Sequence, residues 1–137
     1  MSVIVTDQGF QPEHWKAGFT TPDALPDASS AVALDLASDD DPATLVAQFD
    51  RIALIRVHFA HFADGRGFTL AQRLRQLGYT GRLRAHGHVL ADQYTMARRC
   101  GFDEVEISAG LAHRQPQEHW RFRGNWRHHD YQSRLRA

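Results

Sequence analysis

The alternation of strand-like and helix-like runs between residues 52 and 107 determines the expected fold class of this chain. It opens with Ile52–Phe59, a run dense in aliphatic and β-branched residues, as expected of a buried strand. Helix-like and strand-like runs then alternate with short links, and this order predicts two successive βαβ units. The predicted strands are residues 52–59, 82–85 and 104–107, and the predicted helices are residues 69–77 and 89–100.

Residues 31–36 predict a further strand, and the acids before Pro42 favour a short helix over residues 43–49. Residues 3–5 and the turn after them predict a strand or hairpin that lies against the domain. We therefore expect a single α/β domain over residues 1–137. Its sheet has about four parallel strands built from successive βα units, and an Arg- and Trp-rich extension follows at residues 108–137.

Composition limits the cellular context. A chain of 137 residues is long enough to bury a core without disulfides. Cys100 is the one cysteine, and we expect it to be a small buried residue at a helix end that Gly101 terminates. No apolar run approaches the roughly 20 residues of a membrane span, and no secretory signal is visible. These features indicate a protein of the reducing cytoplasm.

Charge is divided along the chain. Residues 1–50 hold one Lys against nine acids, and residues 51–137 hold fifteen Arg against seven acids, which gives −8 and +8. Either the fold brings the two parts together and the charges cancel, or the division steers partners to one face.

Residues 113–137 are basic and aromatic, with few aliphatic side chains. One interpretation is an extension that wraps the domain and is anchored by Trp120, Phe122, Trp126 and Tyr131. The other is a docking arm that orders on a partner, since Trp and Arg dominate interface energetics.

Ligands of open parallel sheets bind where strands end and helices begin, which selects the loops at residues 35–41, 58–68 and 86–89. The middle loop places two glycines and an Arg ahead of a helix, a composition that suits a small oxyanion. The candidate anion-binding residues are Asp64, Gly65, Arg66, Gly67 and Thr69. The alternative is a tight turn in which the glycines are purely conformational.

Histidines form a second group, because His58, His61, His86 and His88 flank two predicted strand ends. The His-x-His spacing predicts that His86 and His88 lie on the same side, so we assign them as candidate catalytic acid–base groups. No Cys or carboxylate completes a zinc pattern, and no metal is predicted. Half-exposed polar residues at loop starts remain the simpler alternative.

Residues 58–75 (HFAHFADGRGFTLAQRLR), 78–93 (GYTGRLRAHGHVLADQ) and 98–107 (RRCGFDEVEI) resemble a bacterial family, domain of unknown function 934 (DUF934). The resemblance implies an oxidoreductase or accessory protein of assimilatory sulfite reduction that acts with sulfite reductase and handles a small oxyanion such as sulfite or sulfate. Arg84, Asp92 and Gln93 lie in the second stretch and are further site candidates. His61 stands where Lys is common in the family and His88 where Asp is common, which removes a helix cap.

No motif for an iron–sulfur cluster, haem, flavin or nicotinamide is present, so we expect no cofactor. An accessory role beside sulfite reductase is therefore favoured over a complete redox catalyst. The alternative is a stand-alone small-molecule enzyme that uses a strand-end His as acid or base and Arg66 as an anion clamp. The near-zero net charge argues against a nucleic-acid partner.

Overall fold

A six-stranded mixed sheet organises the molecule. The computed structural model describes residues 2–13, 15, 17–25, 31–60 and 65–123, the last three by their backbone only. The strands are β1 (Ser2–Thr6), β2 (Gly9–Gln11), β3 (Val32–Ala37), β4 (Ile52–Phe59), β5 (Arg82–Gly87) and β6 (Glu104–Ser108). The helices are α1 (Arg66–Gln76), α2 (Tyr94–Cys100), α3 (Ala109–Arg114) and α4 (Gln117–Arg123), and 3₁₀ segments cover Pro22–Ala24, Pro42–Arg51 and Ala91–Gln93.

The strand order is β2-β1-β6-β5-β4-β3. Strands β3 to β6 pair in parallel, whereas β1 pairs antiparallel with both β6 and β2. The predicted α/β class is thus confirmed, but the sheet is larger than the expected four strands and is mixed. The N-terminal hairpin does not merely lie against the domain, because β1 hydrogen-bonds along β6 and extends the same sheet.

One face of the sheet is apolar and holds the main core. Leu34, Ile55, Leu83 and Val105 come from four adjacent strands and are all fully buried. The alternation of side chains along each strand places them on the same face, where Leu70 and Leu74 of α1 join the same cluster. Burial of each such side chain stabilises the folded state by about 1.5–3 kcal/mol relative to leaving it in water.

Two helical predictions need correction. The segment expected as a helix at residues 43–49 is a 3₁₀ segment, capped where the side chain of Asp41 accepts from the Ala43 N–H at 3.0 Å. Thr44, Val46 and Phe49 are weak α-helix formers, which lowers the gain from completing a regular α-helix there. Helix α1 starts at Arg66 rather than at residue 69, so Arg66, Gly67 and Phe68 belong to the helix instead of preceding it.

The C-terminal part wraps the domain as far as the structure describes it. Trp120 of α4 is fully buried, its ring lies 6.1 Å from the ring of Tyr94, and its indole N–H donates to the Gln115 carbonyl. The wrapping interpretation is therefore confirmed for Trp120. The Phe122 side chain, Trp126 and Tyr131 lie outside what the structure describes.

Cys100 is buried at the end of α2, where Gly101 adopts a φ of 112°, as predicted for both residues. Burial raises the pKa of the Cys100 thiol. Within the described part of the chain, no helix is both long enough and apolar enough to cross a bilayer.

Candidate functional site

The face of the sheet opposite the core carries a row of charged side chains. In the strand register, Asp35 of β3 stands beside Arg56 of β4, Arg56 beside Arg84 of β5, and Arg84 beside Glu104 of β6. Arg56 donates to Asp35 at 2.6 Å and to Glu106 at 3.0 Å, so one guanidinium links β3 to β6. We call this row the charged face.

Arg84 lies at the centre of the charged face and is fully buried. Its guanidinium donates to Glu104 at 2.6 Å, to Glu106 at 2.8 Å and to Glu13 from the N-terminal segment. Burial disfavours the charged guanidinium, but these three carboxylates outweigh it and raise the pKa of Arg84. Arg84, a sequence candidate, is therefore a fully buried cation that three carboxylates hold in its charged form.

The N-terminal segment covers the charged face. Glu13 pairs with Arg84, and the ring of Phe19 lies 3.7 Å from the guanidinium carbon of Arg56. Asp7 likewise contacts Arg98 at 3.3 Å. Acids of the first 50 residues thus meet arginines of the later part, which confirms that the fold brings the two charge groups together.

Two of the predicted histidines come together at the strand ends. The rings of His58 and His86 lie edge to face with their centroids 5.5 Å apart, and His86 Nε2 lies 3.5 Å from Glu106 Oε2. Burial lowers the pKa of His86 and outweighs the negative charge of Glu106, which raises it. Burial also opposes the charged form of Glu106, yet hydrogen bonds from Arg56 and Arg84 bring the pKa of Glu106 below its ordinary value.

His88 does not share the environment of His86. Strand β5 ends at Gly87, whose φ of +110° interrupts the alternation of side chains, and His88 is exposed in the loop beyond. A Cβ on Gly87 would lie 2.7 Å from the Phe59 carbonyl oxygen, so this close approach needs glycine. His86 and His88 thus differ in burial, but both line one cavity at the ends of β5 and β6. That they act as acid–base groups stays a prediction, and His61 lies outside the described residues.

A first cavity of about 580 Å³ opens at the ends of β3, β4 and β5. It is acidic, and its only described arginine is Arg56, which already pairs with Asp35 and Glu106. Its described charged and titratable lining residues are Asp23, Asp35, Asp40, Asp41, Arg56, His58 and His86. It lies where the strand-end rule predicted a ligand site.

A second cavity of about 750 Å³ lies at the ends of β5 and β6. Its described lining contains cationic and neutral polar groups and no carboxylate. The lining residues are Ser2, His86, Gly87, His88, Leu90, Ser108, Leu111, Arg114 and Gln115. This composition suits a small anion, because the guanidinium of Arg114 can form charge-assisted hydrogen bonds with an oxyanion and the imidazoles and hydroxyls can donate further ones.

The predicted anion-binding turn is separate from both cavities. Among the described residues, neither lining includes Gly65, Arg66, Gly67 or Thr69, and Asp64 lies outside the described part. A Cβ on Gly67 would lie 2.4 Å from the ring of Phe59, so packing accounts for this glycine. That contact supports the conformational alternative for Gly67, while anion binding by this turn stays a prediction.

Asp92 and Gln93, the remaining sequence candidates, lie in the 3₁₀ segment before α2. Gln93 accepts from the Leu90 N–H at 2.9 Å and so serves as a helix cap, and Asp92 is exposed in the 3₁₀ segment before α2. In the described chain, no group of three or more His, Cys, Asp or Glu is arranged to hold a metal ion.

Sequence reasoning missed Glu106, Ser2, Ser108 and Arg114. For Glu106 a signal existed, because Glu104–Ser108 alternates charged and aliphatic residues, the pattern of a strand with one polar face. Ser2 and Arg114 come from opposite ends of the sequence, and only the pairing of β1 with β6 and the course of α3 bring them to one cavity.

Fold and cavities together define an α/β protein with two cavities of opposite charge at the carboxyl ends of its parallel strands. The family model described as "Bacterial protein of unknown function (DUF934)" matches residues 33–137, and the chain belongs to this family. Comparison with curated proteins and with solved structures gives no match. The predicted family is confirmed.

Proposed function

We propose that this protein binds a small oxyanion in the second cavity and serves as an accessory protein of assimilatory sulfite reduction. The observation that supports anion binding is the composition of that cavity, in which His86, His88 and Arg114 meet two serine hydroxyls with no described carboxylate. Cationic and hydroxyl donors converging on one cleft are the usual way in which proteins hold an oxyanion.

The link to sulfite reduction rests on the family resemblance of residues 58–107 alone. Sulfite and sulfate are small oxyanions, so the chemistry of the cavity agrees with that role. The chain carries no motif for a redox cofactor, and this favours an accessory role in which sulfite reductase carries out the electron transfer.

Anion binding is tested by isothermal titration calorimetry with sulfite and with sulfate against a chloride background. We expect saturable binding to the wild-type protein and at least tenfold weaker binding to Arg114→Gln. Arg66→Gln is the matched control, because it removes the arginine of the predicted turn and leaves the second cavity intact. If Arg66→Gln abolishes binding and Arg114→Gln does not, the anion site is the turn at the start of α1.

The accessory role is tested by co-purification with sulfite reductase at physiological salt. Truncation after Arg123 removes residues 124–137 but keeps Trp120, which is part of the core. We expect the truncated protein to fold and to lose binding to the reductase. Full-length protein that does not bind the reductase contradicts the accessory role but leaves anion binding standing.

A stand-alone enzyme is the second candidate, and the contact between His86 and Glu106 favours it. A half-buried imidazole 3.5 Å from an ionised carboxylate is a common arrangement for a general acid or base. In that case we propose that Arg114, which lines the second cavity, holds an anionic substrate in place of Arg66. Turnover of a small anion by the purified protein without reductase distinguishes this candidate from the accessory role.

A further inference from the structure

We propose that an anion entering the second cavity binds together with one proton, and that His86 is the residue that takes up this proton. This inference rests on the proposed anion binding and specifies how that site is regulated. It predicts that the protein couples anion binding to pH.

The position of His86 is the first ground. Among the described residues, His86 is the one shared by the linings of the first and second cavities, and its side chain is 29% exposed. His86 therefore borders the space where the anion would sit. Its Nε2 lies against Glu106, which is almost completely buried.

Glu106 is prepared to stabilise a protonated His86. Its Oε1 accepts from Arg56 at 3.0 Å and from Arg84 at 2.8 Å, and its Oε2 accepts from Arg56 at 3.1 Å. An ionised carboxylate has about four acceptor positions, so Oε2 retains capacity for an N–H of His86 Nε2, which lies 3.5 Å away. The two arginines keep Glu106 ionised. The proton taken up on anion binding therefore resides on His86 and not on the carboxylate.

The surroundings of His86 disfavour its charged imidazolium in the empty site, and a bound anion favours it. Burial lowers the pKa of His86 in the empty protein, Arg56 and His58 add to that effect, and Glu106 and Asp35 oppose it. An anion within about 4–6 Å favours the charged imidazolium. Binding therefore raises the pKa of His86 and draws a proton from solvent.

Other charged and titratable groups line the two cavities that meet at His86. Asp23, Asp40 and Asp41 line the first cavity, while His88 and Arg114 line the second. Of these, His88 is the other imidazole in the lining of the second cavity. His88 is exposed and belongs to the loop beyond β5, so His88→Gln tests whether this second imidazole takes up the proton instead of His86.

The direction of the pH dependence follows from linkage. Since the pKa of His86 is lower in the free protein than in the complex, anion affinity rises as the pH falls through the interval between the two values. Within that interval the dissociation constant falls by up to about tenfold per pH unit for one proton. Above the pKa of the complex and below the pKa of the free protein, the affinity is independent of this proton.

Calorimetry with sulfate tests the proposal, because sulfate carries no titrating proton near neutral pH. Titrations in buffers of low and high ionisation enthalpy give the number of protons taken up per anion. We expect an uptake above zero and up to one for the wild-type protein and for His88→Gln, and none for His86→Gln. We also expect the affinity of His86→Gln to be independent of pH across the interval.

The other outcomes of these titrations overturn the coupled proton, its assignment to His86, or the anion site itself. Equal heats in both buffers, with saturable binding, overturn the coupled proton but leave the anion site standing. Loss of uptake in His88→Gln with retention in His86→Gln also overturns the assignment. Absence of any sulfate binding contradicts the proposed function itself, and this inference with it. If His86→Gln fails to fold, NMR titration of the His86 imidazole in wild type must show a higher pKa with sulfate, and an unchanged pKa overturns the proposal.

Discussion

The two faces of the sheet are built from opposite chemistry although the same strands supply both. On the core face, Leu34 and Leu83 are fully buried among other apolar side chains. On the charged face, Arg84 is equally buried but is surrounded by Glu104, Glu106 and Glu13.

Burial has different energetic consequences on the two faces, and the charged face is the one that lies next to the candidate site. Apolar burial stabilises a fold without specific partners, whereas a buried ion costs desolvation and is stable only when it is fully paired. A buried ion network is therefore weak grounds for stability by itself. Here the network fixes Glu106 beneath His86, and the second cavity opens beside them.

The largest expected effect in this comparison comes from Arg84→Met. The substitution leaves Glu104 and Glu106 buried without their shared cation, and we expect a loss of about 3–5 kcal/mol in the free energy of unfolding. Urea denaturation at neutral pH measures it. The double variant Arg84→Met/Glu104→Met should recover part of the loss, since Glu106 keeps Arg56 and the half-exposed Arg82 can turn to water.

The matched substitution on the core face is Leu83→Ala, which should cost about 2–5 kcal/mol. Its cost should not depend on salt or on any carboxylate. A loss below about 1 kcal/mol for Arg84→Met would mean that the charged face is not held by buried ion pairs.

A smaller effect is expected from Gly67→Ala on the core face. The added Cβ would lie 2.4 Å from the Phe59 ring, which is itself buried beside the rings of Phe68 and Phe102. Overpacking of this kind costs about 1–3 kcal/mol, measured by thermal or urea denaturation. Gly65→Ala is the control, because among the described residues other than its chain neighbours no atom lies within 4 Å of the added Cβ. Equal free energies of unfolding for the two variants would contradict the steric explanation for Gly67.

The smallest effect is expected from Phe19→Ala, which uncovers the charged face. The ring lies 3.7 Å from the guanidinium carbon of Arg56, and such a contact contributes about 0.5–2 kcal/mol. Phe19→Tyr keeps an aromatic ring and should be close to wild type. Denaturation curves for Phe19→Ala that coincide with wild type would show that this contact adds nothing to stability.

The sequence predicted the core face better than the charged face. Ile52–Phe59 is a strand with the predicted bounds, because its aliphatic and β-branched residues satisfy the local preference and the core together. The same run was interpreted as a wholly buried strand, although Arg56 and His58 lie on the other face. The alternation in Arg82–Gly87 and Glu104–Ser108 indicates a polar face, but not which carboxylate meets which arginine.

The candidate site was predicted in part. His58 and His86 converge because adjacent parallel strands end together, as the strand-end rule requires. The second cavity also needs Ser2 and Arg114, which are distant in sequence and are positioned by tertiary packing. Local patterns contain no information on that contact.

Binding of a small oxyanion at the strand ends in the second cavity can be followed residue by residue in amide NMR spectra. The ¹⁵N-labelled protein is titrated with sulfate at constant ionic strength. We expect saturable shifts at the amides of Gly87, His88, Ser108 and Gln115, which line that cavity. Shifts confined to Gly65, Arg66 and Gly67 at the start of α1, or no saturable shift at all, would contradict it.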